Sequence, residues 1–353
     1  MHMADALLSP AVGGTMWIIS AGLIVYSSRK VREEADDRKI PLMGVLGAFI
    51  FAAQMINFTI PGTGSSGHLG GGMILAILLG PWAAFLVMAS VLTVQALFFA
   101  DGGLLALGCN VFNMGFFTCF AAYPLIYRKI AGNGLYMKRV ITGAVLAGVL
   151  GLQLGAFGVV LETLASGISE LPFRTFVLLM QPIHLAIGVV EGLVTAGVVS
   201  FMIKARPEIL TAAAERAPIG VSVKKALLGL GAAAVLTGAA LSWFASAEPD
   251  GLEWAMLKTS GREELESGGK LHGLLASLQA KTAFLPDYGF RKPEAVHEGP
   301  FPAREGTPVP AQEAPAWPAV DAGTSMAGVV GGLLTLALAA LAGFGLKRRK
   351  ADA

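Results

Sequence analysis

The sequence predicts an all-α polytopic membrane protein, with a seven-helix bundle followed by a two-helix hairpin that carries a large extracytoplasmic loop. Three observations carry this reading. Of 353 residues, 54% are hydrophobic and only 14% charged, a balance outside the soluble globular range. Apolar runs of about 20 residues, enough to cross a bilayer, recur along the chain. Lysines and arginines gather in the short stretches between those runs, where they set orientation.

No basic stretch precedes the first apolar run, residues 8 to 27, so it reads as a retained helix rather than a cleavable signal. A second span covers 40 to 60. The apolar stretch from 70 to 100 is interrupted at Gly80-Pro81, and proline ends or kinks a helix at about the preceding residue. It therefore splits into a short element, 72 to 79, and a full span, 82 to 100. Spans at 104 to 127, 140 to 163 and 173 to 203 follow.

Charge placement supports the split. The segment RKVREEADDRK, 29 to 39, is basic enough to be cytoplasmic, which puts the N-terminus and the loop 61 to 72 outside. With the break at Pro81, Arg128, Lys129, Lys138 and Arg139, then 204 to 225, then the terminal KRRK, 347 to 350, all become cytoplasmic; without it the first four would lie outside. Seven segments thus belong to residues 1–205. Residues 206–225 form a polar cytoplasmic linker, and residues 226–350 form a second unit with spans at 226 to 246 and 327 to 346. Its loop, 247–325, is rich in Pro, Glu and Gly between Pro286 and Pro318 and is predicted to be a flexible excursion. Cys109 and Cys119 sit ten residues apart in one span, about 15 Å of helical rise, so no disulfide within that helix and no cysteine metal site is expected.

The chain opens Met1-His2, and the bulk of His2 predicts that Met1 is kept. An α-amine, a peptide N–H and an imidazole then lie within one residue. The loop GTGSSGHLGGG, 62 to 72, is placed on the same side of the membrane and contains one histidine, His68. The Met1 amine, the deprotonated His2 amide, the His2 ring nitrogen nearest the backbone and one nitrogen of His68 make four donors. The first three form fused chelate rings that hold them near a plane, the geometry of Ni(II) or Cu(II) rather than of tetrahedral Zn(II). Against this stands the plainer reading that His2 is an accident of initiation and the glycine-rich loop only a turn.

Segment FRTFVLLMQPIHLAIGVVEGLVTAGVVSFM, 173 to 202, carries His184 and Glu191. Seven residues span almost two turns, so both lie on one face with Gln181, Gly188 and Thr195. Ionisable groups inside a membrane face the bundle interior. A Ni(II) site that has shed one amide proton keeps about one positive charge, which Glu191 could balance or whose ligands it could orient; alternatively, the pair joins helices by hydrogen bonds. Asn57, Gln95, Asn110 and Asn113 are expected to be interior hydrogen-bonding residues near the metal's surroundings. Glu162 is expected to be interfacial, and His272 and His297 solvated in the loop.

MHMADALLSP, SGHLGGG, GCNVFNMG and HLAIGVVEGLVTAGV together resemble the substrate-binding membrane component of energy-coupling-factor nickel and cobalt transporters, the NikM/CbiM family, over roughly residues 1 to 205. The resemblance implies that Met1, His2 and His68 supply the four nitrogens to a transported Ni2+ or Co2+, with no permanently bound cofactor. Residues EPDGLEWA, 248 to 255, and LPDYGF, 285 to 290, resemble the PDGLE-type, NikN-like accessory component that accompanies nickel uptake, here fused. Many relatives open MHIPDG, where this chain reads MHMADA with the ligand positions intact. The resemblance further implies a prokaryotic inner-membrane protein working with a transmembrane coupling protein and a pair of cytosolic ATPases, since this chain has no Walker A pattern. Nothing in it suggests a nucleic-acid partner.

Two other classes are weighed. A proton-coupled secondary metal carrier would use His184 and Glu191 as a relay. A membrane metalloprotease would need a general base and an open metal position, and there is no HExxH pattern.

Overall fold

The computed structural model describes residues 2–34, 36–132, 136–169, 171–262, 265, 268–291 and 317–347. Helix α1 (Pro10–Glu34) turns Ile18, Val25 and Tyr26 outward, as a lipid-facing helix does. Helix α2 (Lys39–Gln54) is apolar on all sides and almost wholly buried. It stops at Gln54 rather than running to residue 60. Phe58–Ile60 is instead strand β1, paired antiparallel with β2 (Ser65–Gly67). Pro61 and the glycines at 62 and 64, both with positive φ, favour a hairpin there over continued helix.

The break at Gly80-Pro81 is present. Helix α3 (Gly72–Leu79) is short and completely buried, as a helix apolar all round must be, and Pro81 is the first residue of α4 (Pro81–Phe99). The last turn of α4, Gln95–Phe99, takes the wider π form, which recurs at functional sites. Helix α5 (Leu107–Ala131) holds both cysteines, unpaired and buried.

Helices α6 (Met137–Ser166) and α7 (Phe173–Ala205) cross at a glycine seam. A Cβ on Gly192 would stand 2.3 Å from Val145 Cα, and one on Gly148 would stand 2.9 Å from Gly192 N. Small residues let membrane helices approach backbone to backbone, where dispersion rather than the hydrophobic effect holds them. Short helix α8 (Pro207–Glu215) follows. Then α9 (Lys224–Ala239) and α12 (Ala322–Leu346) pack on each other and on α2.

The basic segments meet at one end of the bundle. Arg128 donates to the Ala214 carbonyl at 3.2 Å, Ile219 N donates to Asp36 at 2.9 Å, and Lys347 pairs with Asp37 at 2.8 Å. At the opposite end the N-terminal segment, the β1–β2 hairpin, the turn after α4, and helices α10 (Gly251–Ser260) and α11 (Lys270–Thr282) come together.

Much of the 247–325 loop is thus ordered. Pro286–Tyr288 forms a helical turn packed on α4, with the Tyr288 ring stacked on Phe99 at 5.1 Å, because apolar Leu285 and Tyr288 have a core to join. The remainder of the expected excursion, 292–316, and His297 with it lie outside the described residues.

Candidate metal centre

His2 and His68, 66 positions apart in the sequence, come together in the fold: their rings stack with centroids 5.0 Å apart and planes 17° from parallel.

A chain of amides fixes the His2 tautomer. The Gly70 carbonyl can only accept, so Gln54 must present its NH2 there, at 2.7 Å; the Gln54 oxygen then accepts from Gln95 Nε2 at 2.8 Å. The Gln95 oxygen is left facing His2 Nε2 at 3.1 Å, so Nε2 carries the proton and Nδ1, the nitrogen nearest the backbone, keeps its lone pair. His68 is set the opposite way. Its Nδ1 donates to the Leu69 carbonyl at 3.1 Å, leaving the lone pair on Nε2. Burial pushes both imidazoles down to about 3, so both are neutral and able to ligate.

The His68 loop is held from beneath. Glu191 on α7 accepts from Gly70 N at 2.8 Å and from Gly71 N at 3.0 Å. Gly71 has φ +76°, and a Cβ there would stand 2.6 Å from Ile50 Cγ2, so glycine is required on both counts. The N-terminal segment is held from the side: Asn110 accepts from Met3 N at 2.8 Å and donates to the Met3 carbonyl at 3.2 Å. Asn113 donates to Glu162 at 2.7 Å. Glu162 is therefore buried in the bundle rather than interfacial, because Asn113 offers it a donor.

His184 donates to the Met180 carbonyl at 2.8 Å and packs under Gly251, where a Cβ would stand 3.2 Å from its Cε1. His184 and Glu191 thus bond separate partners. Asn57 lies in the cavity wall, and its carbonyl accepts from Ser246 N at 2.7 Å. His272 is buried, not solvated: its Nε2 donates to the Leu8 carbonyl at 2.9 Å, which gives the ring a partner away from water. Met1 lies outside the described residues.

Both histidines open on a cavity of about 480 Å³ whose wall includes Gln54, Asp101, Asp250 and Tyr288. These four were not singled out by the sequence reading. Asp101 Oδ1 lies 3.2 Å from His2 Nδ1, and Asp250 Oδ2 lies 3.8 Å from His68 Nε2. Burial raises the Asp101 carboxyl above the ordinary carboxylate range, and the Tyr288 hydroxyl donates to it. The available signals were an aspartate directly after an apolar span, for Asp101, and two motifs of the second unit, for Asp250 and Tyr288. Among the described residues no group of three or more His, Cys, Asp or Glu side chains is arranged to hold a metal ion. A site built on two imidazoles and main-chain nitrogens needs no such group.

Comparison with known proteins places the chain in a family. Residues 2–209 match the family described as "Cobalt uptake substrate-specific transmembrane region", and residues 224–348 match the PDGLE domain. The "Fused nickel transport protein NikMN" of Rhodobacter capsulatus is 32% identical over 252 residues, 67% of this chain and 71% of that protein. The "Cobalt transport protein CbiM" of Sorangium cellulosum is 31% identical over 223 residues, 60% of this chain and 94% of that protein. A crystal structure titled as a truncated transition metal transporter superposes with a TM-score of 0.52 at 31% identity, covering 58% of this chain and 99% of that one. With more than half of its length inside the first match, the chain belongs to the cobalt-uptake substrate-specific transmembrane family of nickel and cobalt transport proteins, fused to a PDGLE domain.

Proposed function

We propose that the protein captures Ni2+ at the His2–His68 end of the bundle and passes it across the membrane when a coupling protein and paired ATPases turn over. The cargo is held by Met1, His2 and His68 in a planar set of four nitrogens, with Co2+ as the alternative ion. The observation that carries this reading is the pair of opposed tautomers, which aims one lone-pair nitrogen from each ring into the same cavity. Planar nitrogen ligation favours Ni(II) or Cu(II) over the other divalent ions. Similarity to relatives named as fused nickel transport proteins supports nickel over cobalt for this two-part chain.

In this reading the site end faces outward and the basic end, with residues 29 to 39 and 204 to 225, faces the cytoplasm. Release needs the planar set to open, by withdrawal of the N-terminal segment or of the His68 loop. The test is metal content and metal-site absorption of the purified protein beside two variants, His68→Ala and an alanine inserted between Met1 and His2. Stoichiometric, diamagnetic nickel that is lost in both variants is expected. Equal nickel binding in parent and variants would refute the site.

A further inference from the structure

The second unit reaches the metal centre with a charged side chain. Asp250 is the N-cap of α10, and its two oxygens face different ways. Oδ1 accepts from Leu252 N at 2.7 Å and Glu253 N at 3.0 Å, while Glu253 accepts in return from Asp250 N at 2.8 Å. This capping box satisfies two orphan helix donors and fixes the carboxylate plane. Oδ2 lies 3.8 Å from His68 Nε2, the ring nitrogen opposite the one that donates to Leu69, and the two side chains are only 16% and 10% accessible.

The approach is built from both sides. Ser66, two residues before His68, donates its N–H to the Pro249 carbonyl at 2.8 Å and its hydroxyl to the Glu248 carbonyl at 2.7 Å. Trp254 Nε1 donates to the Thr63 carbonyl at 3.0 Å. The segment 248 to 250 therefore continues the β1–β2 hairpin on its far side. Gly251 keeps α10 close to α7, since a Cβ there would stand 3.1 Å from Ile183 Cγ2.

Capping alone does not require an aspartate, because asparagine serves as well at an N-cap. What asparagine lacks is the negative charge. A carboxylate held beside a metal-ligating nitrogen in a nearly dry site lowers the cost of bringing a divalent cation there. We propose that Asp250 belongs to the metal centre: the second unit places its carboxylate beside the ligating nitrogen of His68 to compensate the charge of the bound divalent cation. This rests on the nickel-site reading above. It gives the fused unit a direct part in holding the ion, and Tyr288, from the same unit, reaches the other histidine through Asp101.

The test uses the full-length protein titrated with Ni2+ against a competing chelator, for the parent, Asp250→Asn and His68→Ala. Amide exchange at Leu252 and Glu253 is followed in parallel. Asp250→Asn keeps the cap and removes the charge, so affinity should fall about 10- to 100-fold, the range for groups that support metal ligands, with exchange at both amides unchanged. Parent-like affinity in Asp250→Asn, with His68→Ala defective, overturns this inference and leaves the site reading standing. A fall in affinity matched by faster exchange at Leu252 and Glu253 also overturns it, because the effect would then come from the helix cap. Undiminished binding in His68→Ala overturns both.

Discussion

Glu191→Gln tests whether a carboxylate within the membrane-spanning bundle holds the His68 loop in place. In the parent, Glu191 receives Gly70 N–H at 2.8 Å and Gly71 N–H at 3.0 Å, with a further contact at 3.2 Å. Glutamine is the same size but keeps one acceptor oxygen and turns an NH2 group toward the other donor. One charge-assisted bond is lost and the second becomes neutral. Bonds to charged groups contribute about 1.5–3 kcal/mol each, and about 1.4 kcal/mol is tenfold in an equilibrium. The Gly70 and Gly71 amides should therefore lose roughly 10- to 100-fold of their exchange protection. Nickel affinity should fall with it, because His68 stands two residues from Gly70. The assay is amide exchange of the metal-free protein, followed by nickel titration of the same preparations. Unchanged exchange at both glycines would refute the reasoning, and lost affinity with unchanged exchange would move Glu191 from positioning the loop to balancing charge.

Gln54→Leu should let Gln95 rotate its NH2 toward His2 Nε2 and drive the ring proton to Nδ1, lowering nickel affinity about tenfold or more; nitrogen NMR of the His2 ring that still shows Nε2–H would refute this. Gly71→Ala combines a left-handed backbone, about 1–2 kcal/mol for a residue with a Cβ, with a contact to Ile50 at 2.6 Å. Its melting temperature in detergent should fall, and Ile50→Ala in the same chain should restore only part of the loss. An unchanged melting temperature for Gly71→Ala would sink this account of the loop.

The helical architecture was legible because its signals are local and strong. Gly80-Pro81 marks a break by backbone chemistry alone, and the break stands there. Span 40 to 60 was drawn too long because Met55–Ile60 is as apolar as the helix before it; only pairing with Ser65–Gly67 shows it to be a hairpin strand. The histidines were found because each is a rare residue in a suggestive place, and Glu191 and His184 because charge in an apolar run stands out. Gln54 and Asp101 give no such signal, since their roles come from what they face across the bundle. The loop of the second unit misled for a related reason: its composition reads as unfolded, yet its first part is shaped by the surface it covers. Asp250, Tyr288 and His272 each face a group from residues 2–104 that lies far away in the sequence: His68, Asp101 and the Leu8 carbonyl.

How the N-terminal segment is held decides how readily the proposed chelate would form. Ordering the backbone of His2 and Met3 costs about 2–4 kcal/mol, at about 1–2 kcal/mol per residue, and anchors formed before the ion arrives remove that cost from binding. Two kinds of anchor are present. Met3, Leu7 and Leu8 are fully buried, and polar bonds join Met3 to Asn110 and Asp5 to Ala106 N, the latter at 3.0 Å. Asn110→Ala separates them, because it removes both side-chain bonds to Met3 and leaves a buried N–H without this partner, at about 1–3 kcal/mol. If the polar anchor fixes the pose, nickel affinity falls about 10- to 100-fold, while the absorption at saturation stays that of the parent because no ligand has changed. Asn110→Asp should fall between the two, since it keeps an acceptor for Met3 N but sets a carboxylate against the Met3 carbonyl. Parent-like affinity in Asn110→Ala would mean that burial of Met3, Leu7 and Leu8 alone holds the segment. Withdrawal of the N-terminus would then have to expose those three side chains, and the His68 loop, held mainly by Glu191 and Gln54, would be the part that opens on release.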